Sequence, residues 1–263
     1  MTRPTTHFVV AIFALVAATT VPSESAWAQY RTDPPSPLKA AAFSAVLPGA
    51  GQYILDQRRS WAYVAAEALG WVFYIDRRSE GVDLRAGYRD LAWMEARVQA
   101  GPRTEGDFEY YERMTKWRTS GAFDVDPGTP GVQPETDPAT FNGDAWGLAR
   151  QIFLPGQGTV PESDPRYQRA LEYYEGRAYG PEFLWDWTGK EGEQEEFAAL
   201  IRRSDDRFRQ ATNILGLVFA NHVVSTVDAF LSARALGASA QSGFVPTPWG
   251  VEWTVRVDVP LSW

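Results

Sequence analysis

Three apolar stretches constrain the fold of this 263-residue chain more than any other feature of its sequence. Residues 40–55 and 210–227 contain no Asp, Glu, Lys or Arg, and residues 60–75 contain only Glu67. Helices over the second and third stretches would be about 24 and 27 Å long, close to the hydrocarbon layer of a bilayer, which is about 30 Å thick. Two alternatives follow: helices embedded in a membrane, and core helices of a soluble protein.

Residues near the ends of these stretches favour the membrane. Trp61 begins the second stretch and Tyr74 lies near its end, and aromatic side chains concentrate where a bilayer meets water. Arginines flank the same stretch, which suits contact with lipid headgroups. The first stretch has Pro48 and Gly49 in its middle, so the sequence predicts a broken or re-entrant helix there rather than a straight span.

The first 28 residues predict a signal peptide. A short start with Arg3 precedes an apolar run over residues 8–18, and Ala26 and Ala28 supply the small residues that signal peptidase reads. An apolar run of this length is too short to cross a bilayer. We expect cleavage after Ala28 and export to the cell envelope, with the choice between inner and outer membrane left open.

Charge and composition narrow the function classes. The chain has 33 acidic and 25 basic residues, a net charge of −8, which argues against a nucleic-acid partner because phosphate binding needs a surplus of Lys and Arg. Of the acidic residues, 25 lie within residues 79–210. The absence of cysteine excludes disulfides, thiolate metal sites and cysteine nucleophiles. We therefore expect one acidic block, standing in the periplasm, between apolar segments.

Periodicity predicts a mainly α fold with a short β-strand or hairpin at its end. Apolar residues from Phe197 to His222 recur at steps of three and four, which indicates one long helix. Residues 251–263 alternate apolar and polar side chains, the period of a strand. Residues 121–165 contain seven prolines and seven glycines and are predicted to be rich in loops. Shorter helices are predicted over residues 80–99, 106–119, 144–153 and 165–176.

These elements predict a membrane-associated helical bundle carrying a loop-rich acidic helical insertion. The predicted divisions are a signal peptide (1–28), a linker (29–37), an N-terminal apolar helical hairpin (38–78), the insertion (79–190), a long helix that is apolar in its second half (191–236) and a C-terminal strand region (237–263).

A polar stripe marks the apolar half of the long helix. Asn221, Ser225, Asp228 and Ser232 lie on one helical face. Buried polar groups need partners, and we expect Glu67, Gln52 and the backbone around Pro48 and Gly49 to supply them. One hypothesis is that Glu67, Asn221, His222 and Asp228 form an intramembrane polar cluster that binds an ion, a proton or a lipid headgroup. The alternative, which we favour, is that the stripe joins helices by hydrogen bonds, with Asp228 near water and paired with Arg234.

The sequence offers little support for catalysis. It contains no GxSxG, HExxH, phosphate-binding glycine loop or dinucleotide-binding fingerprint. Asp124 and Asp126 resemble part of a calcium loop that lacks its later acidic ligand. We therefore predict no catalytic residue, metal site or cofactor. Trp185 and Trp187 could form an aromatic surface for sugar rings, although such residues more often anchor a helix end.

Three motifs together resemble an uncharacterised bacterial envelope family, a domain of unknown function. Residues 44–52 are similar to its SAxLPGxGQ motif and residues 221–233 to its NxxxxxxDAxxSA motif, with Trp185-Asp186-Trp187 as the third element. The resemblance covers residues 38–75 and 182–236. It implies an exported, membrane-associated helical protein with no established activity, and it assigns no catalytic residue.

The sequence thus predicts a cell-envelope membrane protein with a structural or interaction role, whose partners are membrane lipid and other envelope proteins. The alternative is a periplasmic enzyme or carbohydrate-binding module with its site in the acidic, aromatic-rich insertion.

Overall fold

A computed structural model describes residues 35–156, 158, 160–237, 239–247 and 250–258, with side chains through Leu236. The predicted signal peptide and most of the linker lie outside these residues. The described part is mainly helical. Its elements are α1 (Pro37–Val46), α2 (Ala50–Ile54), α3 (Ser60–Leu91), α4 (Phe108–Lys116), α5 (Phe141–Phe153), α6 (Pro165–Glu175), α7 (Glu191–Gly237), β1 (Ser239–Thr247) and β2 (Gly250–Asp258).

The long C-terminal helix is confirmed. α7 begins at Glu191 and ends at Gly237, one residue beyond the predicted end. Acidic Glu191 and Glu193 lie in its first turn and basic Arg234 in its last. These charges oppose the helix dipole at each end and stabilise both termini.

The first apolar stretch is a broken helix, as predicted. α1 ends at Val46, Gly49 adopts a left-handed φ of 92°, and α2 begins at Ala50. A β-carbon on Gly49 would lie 2.5 Å from the carbonyl oxygen of Ser60. Glycine is therefore required here by its backbone conformation and by the close approach of α3.

The predicted boundary between residues 78 and 79 is wrong. α3 runs without a break from Ser60 to Leu91, so the second apolar stretch and the predicted helix over 80–99 form one element, followed by a π-helical turn at Ala92–Ala96. Gly81 does not interrupt it, because the ring of Phe208 packs against its α-carbon and the Ser204 hydroxyl donates to its carbonyl at 3.0 Å. Tertiary contacts from α7 thus sustain a helix that local sequence weakens.

Contacts divide the chain into two compact units. Of the described residues, unit 1 contains those within 1–70 and 216–263, and unit 2 contains those within 71–215. In unit 1, α1 and α2 pack with the first part of α3 and the second part of α7, where Ala40, Leu55, Ala229 and Ala233 form a small apolar core. A β-carbon on Gly70 would lie 2.6 Å from Val218, so α3 and α7 approach closely there.

Aromatic side chains fill the larger core of unit 2. Trp185 is 1% exposed and Trp187 is fully buried, packed with Tyr110, Tyr111 and Phe197. Their indole N–H groups donate to the carbonyls of Trp117 and Met114, both at 3.1 Å. The prediction of an aromatic surface at Trp185 and Trp187 is therefore wrong. Both rings belong to a core that packs α4 against the first part of α7.

A second core in unit 2 lies between α5 and α6. It contains Trp146, Ala149, Leu154, Ala170 and Tyr174. α5 begins three residues before its predicted start, and α6 matches its prediction to within one residue. Both helices have side-chain caps, from Thr140 and Asp164, which satisfy backbone N–H groups of the first turn.

The backbone after α7 lies in two antiparallel strands. In their register Phe244 lies opposite Trp253 and Thr247 opposite Gly250. Residues 238, 248–249 and 259–263, which complete the predicted strand region, lie outside the described residues. That this strand pair packs against the helices stays a prediction.

Candidate functional site

Beside its small apolar core, unit 1 buries several polar side chains and exposes many large apolar ones. Its buried polar residues are Ser44, Gln52, Ser60, Glu67, Ser225 and Ser232. Its exposed large apolar residues include Val46 (82% exposed), Leu217 (71%), Phe219 (70%), Trp61 (66%) and Val224 (56%). Soluble proteins show the opposite distribution, and they rarely expose a large continuous apolar patch.

One hydrogen-bond network joins the break between α1 and α2 to α7. Gln52 donates from Nε2 to the Ser225 carbonyl and to Asp228 Oδ2, both at 2.8 Å, and accepts at Oε1 from the Ser44 hydroxyl at 2.9 Å. The backbone N–H of Gly49 donates to the Ser225 hydroxyl at 2.8 Å. These contacts confirm that Gln52 and the backbone at Gly49 are partners of the polar stripe.

A second network surrounds Glu67 on α3. Asn221 donates from Nδ2 to Glu67 Oε2 and to the Tyr63 carbonyl, both at 3.1 Å. His222 Nε2 lies 3.2 Å from Glu67 Oε1, and its Nδ1 lies 2.9 Å from the Ala45 carbonyl oxygen. Three of the four predicted cluster residues therefore meet, and they link α1, α3 and α7 at one point.

Asp228, the fourth predicted residue, belongs to the Gln52 network instead. Its Oδ1 forms an ion pair with the Arg59 guanidinium at 3.1 Å, and the same guanidinium donates to the Ser232 hydroxyl. The predicted pairing with Arg234 is thus corrected to Arg59. Arg59 lies between α2 and α3, and the fold brings it close to the last turns of α7. The sequence pattern does not predict this proximity.

The sequence pattern does not predict two contacts of these networks, those of Arg59 and of the Ala45 carbonyl. In the sequence Arg59 is a charge that flanks an apolar stretch, and Ala45 is one residue of an apolar run. A signal for Ala45 did exist, because the last four carbonyls of a helix lack intrahelical partners and α1 ends at Val46. A polar side chain from another element is the expected partner of such a carbonyl.

The chemistry available here is hydrogen bonding and proton exchange. Within the described residues no group of three or more His, Asp or Glu side chains is placed to hold a metal ion. Glu67 and His222 contribute one carboxylate and one imidazole, fewer protein ligands than structural or catalytic zinc sites use. The two facing atoms, His222 Nε2 and Glu67 Oε1, can share a proton.

One helix of the described residues is long and apolar enough to cross a membrane. It comprises residues 191–236, and only 17% of its most apolar 18-residue window is buried by the rest of the chain. A scan of protein-family models, a search of curated proteins and a search of solved structures each gave no match. The resemblance to an envelope family stays a prediction based on its three motifs.

Proposed function

We propose that this chain is an exported, membrane-embedded protein of the cell envelope, with unit 1 in the lipid and a non-catalytic structural or interaction role. The observation that carries this proposal is the distribution of side chains in unit 1. Glu67 and Gln52 are buried with hydrogen-bond partners while Leu217, Phe219 and Val46 face outward.

The energetics of a bilayer account for this distribution. Outward apolar side chains cost free energy in water and none in hydrocarbon. Helices gain no hydrophobic driving force for association in lipid, so small residues and polar contacts hold them together. Unit 1 has both, with Gly49, Gly51 and Gly70 at close approaches and Asn221 bridging α3 and α7.

The start of α3 supports an orientation at the bilayer interface. Trp61 is 66% exposed and lies just after Arg58 and Arg59. An exposed tryptophan beside arginines suits the headgroup region, where the ring contacts acyl chains and the guanidinium contacts phosphate. The acidic unit 2, with its two aromatic cores, suits the aqueous compartment.

An interaction role is favoured over carbohydrate binding. The alternative site in the insertion depended on Trp185 and Trp187, and both are buried. Their indole N–H groups are occupied by backbone carbonyls. The proposed partners of the chain are membrane lipid and other envelope proteins that contact the acidic unit.

Fractionation of cells that express the full chain tests the proposal. We expect the protein in the membrane pellet after alkaline carbonate extraction, with release only by detergent. Separation of inner from outer membranes then assigns the compartment. Recovery as a soluble monomer in the carbonate supernatant would overturn the proposal.

A further inference from the structure

We propose that Glu67 and His222 form a proton-binding pair in the apolar layer, and that the bound proton holds the end of α1 against α7. This inference deepens the proposed function and rests on it for the lipid environment. Its direct evidence is local: the partners of the two ring nitrogens of His222.

The proton count follows from those partners. The Ala45 carbonyl only accepts, so His222 Nδ1, at 2.9 Å, must carry a hydrogen. His222 Nε2 faces Glu67 Oε1 at 3.2 Å, and that contact needs one further proton between the two atoms. The proton can lie on the imidazole or on the carboxyl. In both cases the pair holds two protons and has no net charge.

Loss of the shared proton would break this arrangement. An ionised Glu67, 7% exposed, would then face the lone pair of Nε2 and would give the pair a net negative charge in a buried position. Such a charge is costly in a bilayer. Rotation of the imidazole could present Nδ1–H to Glu67, but the Ala45 carbonyl would then lose its donor. The proton therefore controls the link from α7 to α1.

Hydrogen-bonding groups of α1, α3 and α7 surround the pair. α1 contributes the Ala45 carbonyl, and α3 contributes Glu67 and the Tyr63 carbonyl. On α7, Asn221 donates to Glu67, and the Thr226 hydroxyl donates to the main-chain carbonyl of His222 at 2.7 Å.

Another charged pair of unit 1, Asp228 with Arg59, lies six residues further along α7, about 9 Å away. Its two charges offset each other, and the Tyr63 phenol interacts with Asp228.

The sequence allows a single-residue measurement of the proton. The chain contains only two histidines, and His7 lies in the predicted signal peptide, so His222 is the sole histidine of the cleaved protein; His7→Gln makes it the sole histidine of an uncleaved chain as well. We would label it with ¹⁵N-histidine, reconstitute the full chain in phospholipid nanodiscs and record ring-nitrogen spectra from about pH 5 to about pH 9, on both sides of the ordinary histidine pKa. Infrared spectra of the same samples, compared with Glu67→Gln, report the carboxyl.

At neutral pH we expect two protons on the pair. Either both ring nitrogens are protonated, or Nδ1 is protonated and a carboxylic-acid band is present that Glu67→Gln removes. Asp228→Asn is the matched control and should leave the His222 signals unchanged. A singly protonated imidazole beside an ionised Glu67, or an unprotonated Nδ1, would overturn the proposal.

A second measurement follows the link to α1. The chain has no cysteine, so Ala40→Cys places a single thiol on the face of α1 that packs on α7, where Ala40 is fully buried beside Ala229 and Ala233. Loss of the shared proton at high pH should raise its labelling rate by a membrane-permeable maleimide several-fold more than in the same chain with Glu67→Gln. The amide introduced by Glu67→Gln can donate to His222 Nε2 at every pH, so it keeps α1 linked to α7. Because the thiol ionises in both chains, the comparison removes its own effect on the labelling rate.

Equal pH dependence of labelling in the two chains would contradict control by the proton. This outcome is distinct from failure of the proposed function. Carbonate extraction of the membrane tests embedding, whereas the ring-nitrogen spectra can be recorded in any medium that keeps unit 1 folded.

Discussion

Gly51 shows how a single residue sets the packing of unit 1. A β-carbon there would lie 2.2 Å from the Ala40 carbonyl oxygen and 2.6 Å from the Ala229 β-carbon. Neither neighbour can move without shifting α1 or α7, because one is backbone and the other is a fully buried methyl group. Any side chain at this position therefore separates helices that small residues hold together.

We expect Gly51→Ala to destabilise unit 1 by about 1–3 kcal/mol, the usual cost of overpacking. The measurement is unfolding of the full chain by SDS in mixed micelles, followed by circular dichroism. Gly216→Ala is the control, because no atom lies within 4 Å of its added β-carbon. There the gain in helix propensity, about 0.5–1 kcal/mol, should stabilise α7. Equal effects of the two substitutions would contradict the packing described for Gly51.

The hydrogen bonds of Asn221 should contribute measurably to the stability of unit 1. Asn221→Ala removes the donor shared by Glu67 and the Tyr63 carbonyl, and should cost about 0.6–2 kcal/mol. Asn213→Ala, on an exposed face of the same helix, is the matched control. The same SDS unfolding measurement applies. A loss of stability in Asn221→Ala no larger than in Asn213→Ala would contradict the bridge.

Much of the element structure could be predicted from sequence. The steps of three and four along α7 and the Pro48-Gly49 break act within a few residues, so local pattern suffices for them. The continuity of α3 could not be predicted, because it depends on Phe208 and Ser204 packing on Gly81 from a distant part of the chain.

The site could be predicted only in part, because some of its contacts follow from local sequence and others depend on the fold. A polar stripe on an apolar helix requires partners, and Glu67 and Gln52 were the polar residues available in the other apolar stretches. Arg59 and the Ala45 carbonyl needed three-dimensional placement. The burial of Trp185 and Trp187 could not be predicted, because an aromatic cluster in a sequence does not distinguish a surface from a core.

The buried tyrosines of unit 2 predict a response to alkali. Burial, with a hydrogen bond to Glu105, raises the pKa of Tyr111 to about 12, and burial raises the pKa of Tyr174 and of Tyr179 to about 12. In the unfolded chain tyrosine ionises near pH 10. Above that value the unfolded state binds fewer protons than the folded state, so the stability that these groups contribute is constant below about pH 10 and falls as the pH rises toward 12.

Thermal unfolding of the full chain, monitored by near-ultraviolet circular dichroism, should therefore show a falling Tm between about pH 10 and 12. Tyr111→Phe removes one of the ionising groups and should reduce the slope of that fall. It also removes the hydrogen bond to Glu105 and so lowers Tm at neutral pH. A slope that is identical in the two proteins would contradict the buried state of the Tyr111 hydroxyl.

At the scale of the whole molecule, the two units should respond differently to charges placed on their surfaces. Leu217→Arg combined with Phe219→Arg puts two guanidinium groups on the apolar exterior of unit 1, where each costs about 2.5–3.5 kcal/mol in a bilayer. We expect a loss of protein from the carbonate-resistant pellet. Leu148→Arg with Ile152→Arg, two exposed apolar residues of unit 2, is the matched control and should leave the pellet unchanged. Equal retention of both double variants would count against lipid contact by unit 1.

Unit 1 is assembled from two parts of the chain that the ribosome makes far apart in time. Residues up to 70 emerge first, and residues 216–263 follow only after all of unit 2 has been synthesised. Until then Gln52 lacks Ser225 and Asp228, and Glu67 lacks Asn221 and His222. Newly made α1, α2 and α3 therefore need temporary partners, such as a chaperone or the insertion machinery, and translation that stalls within unit 2 should yield a fragment that the cell degrades.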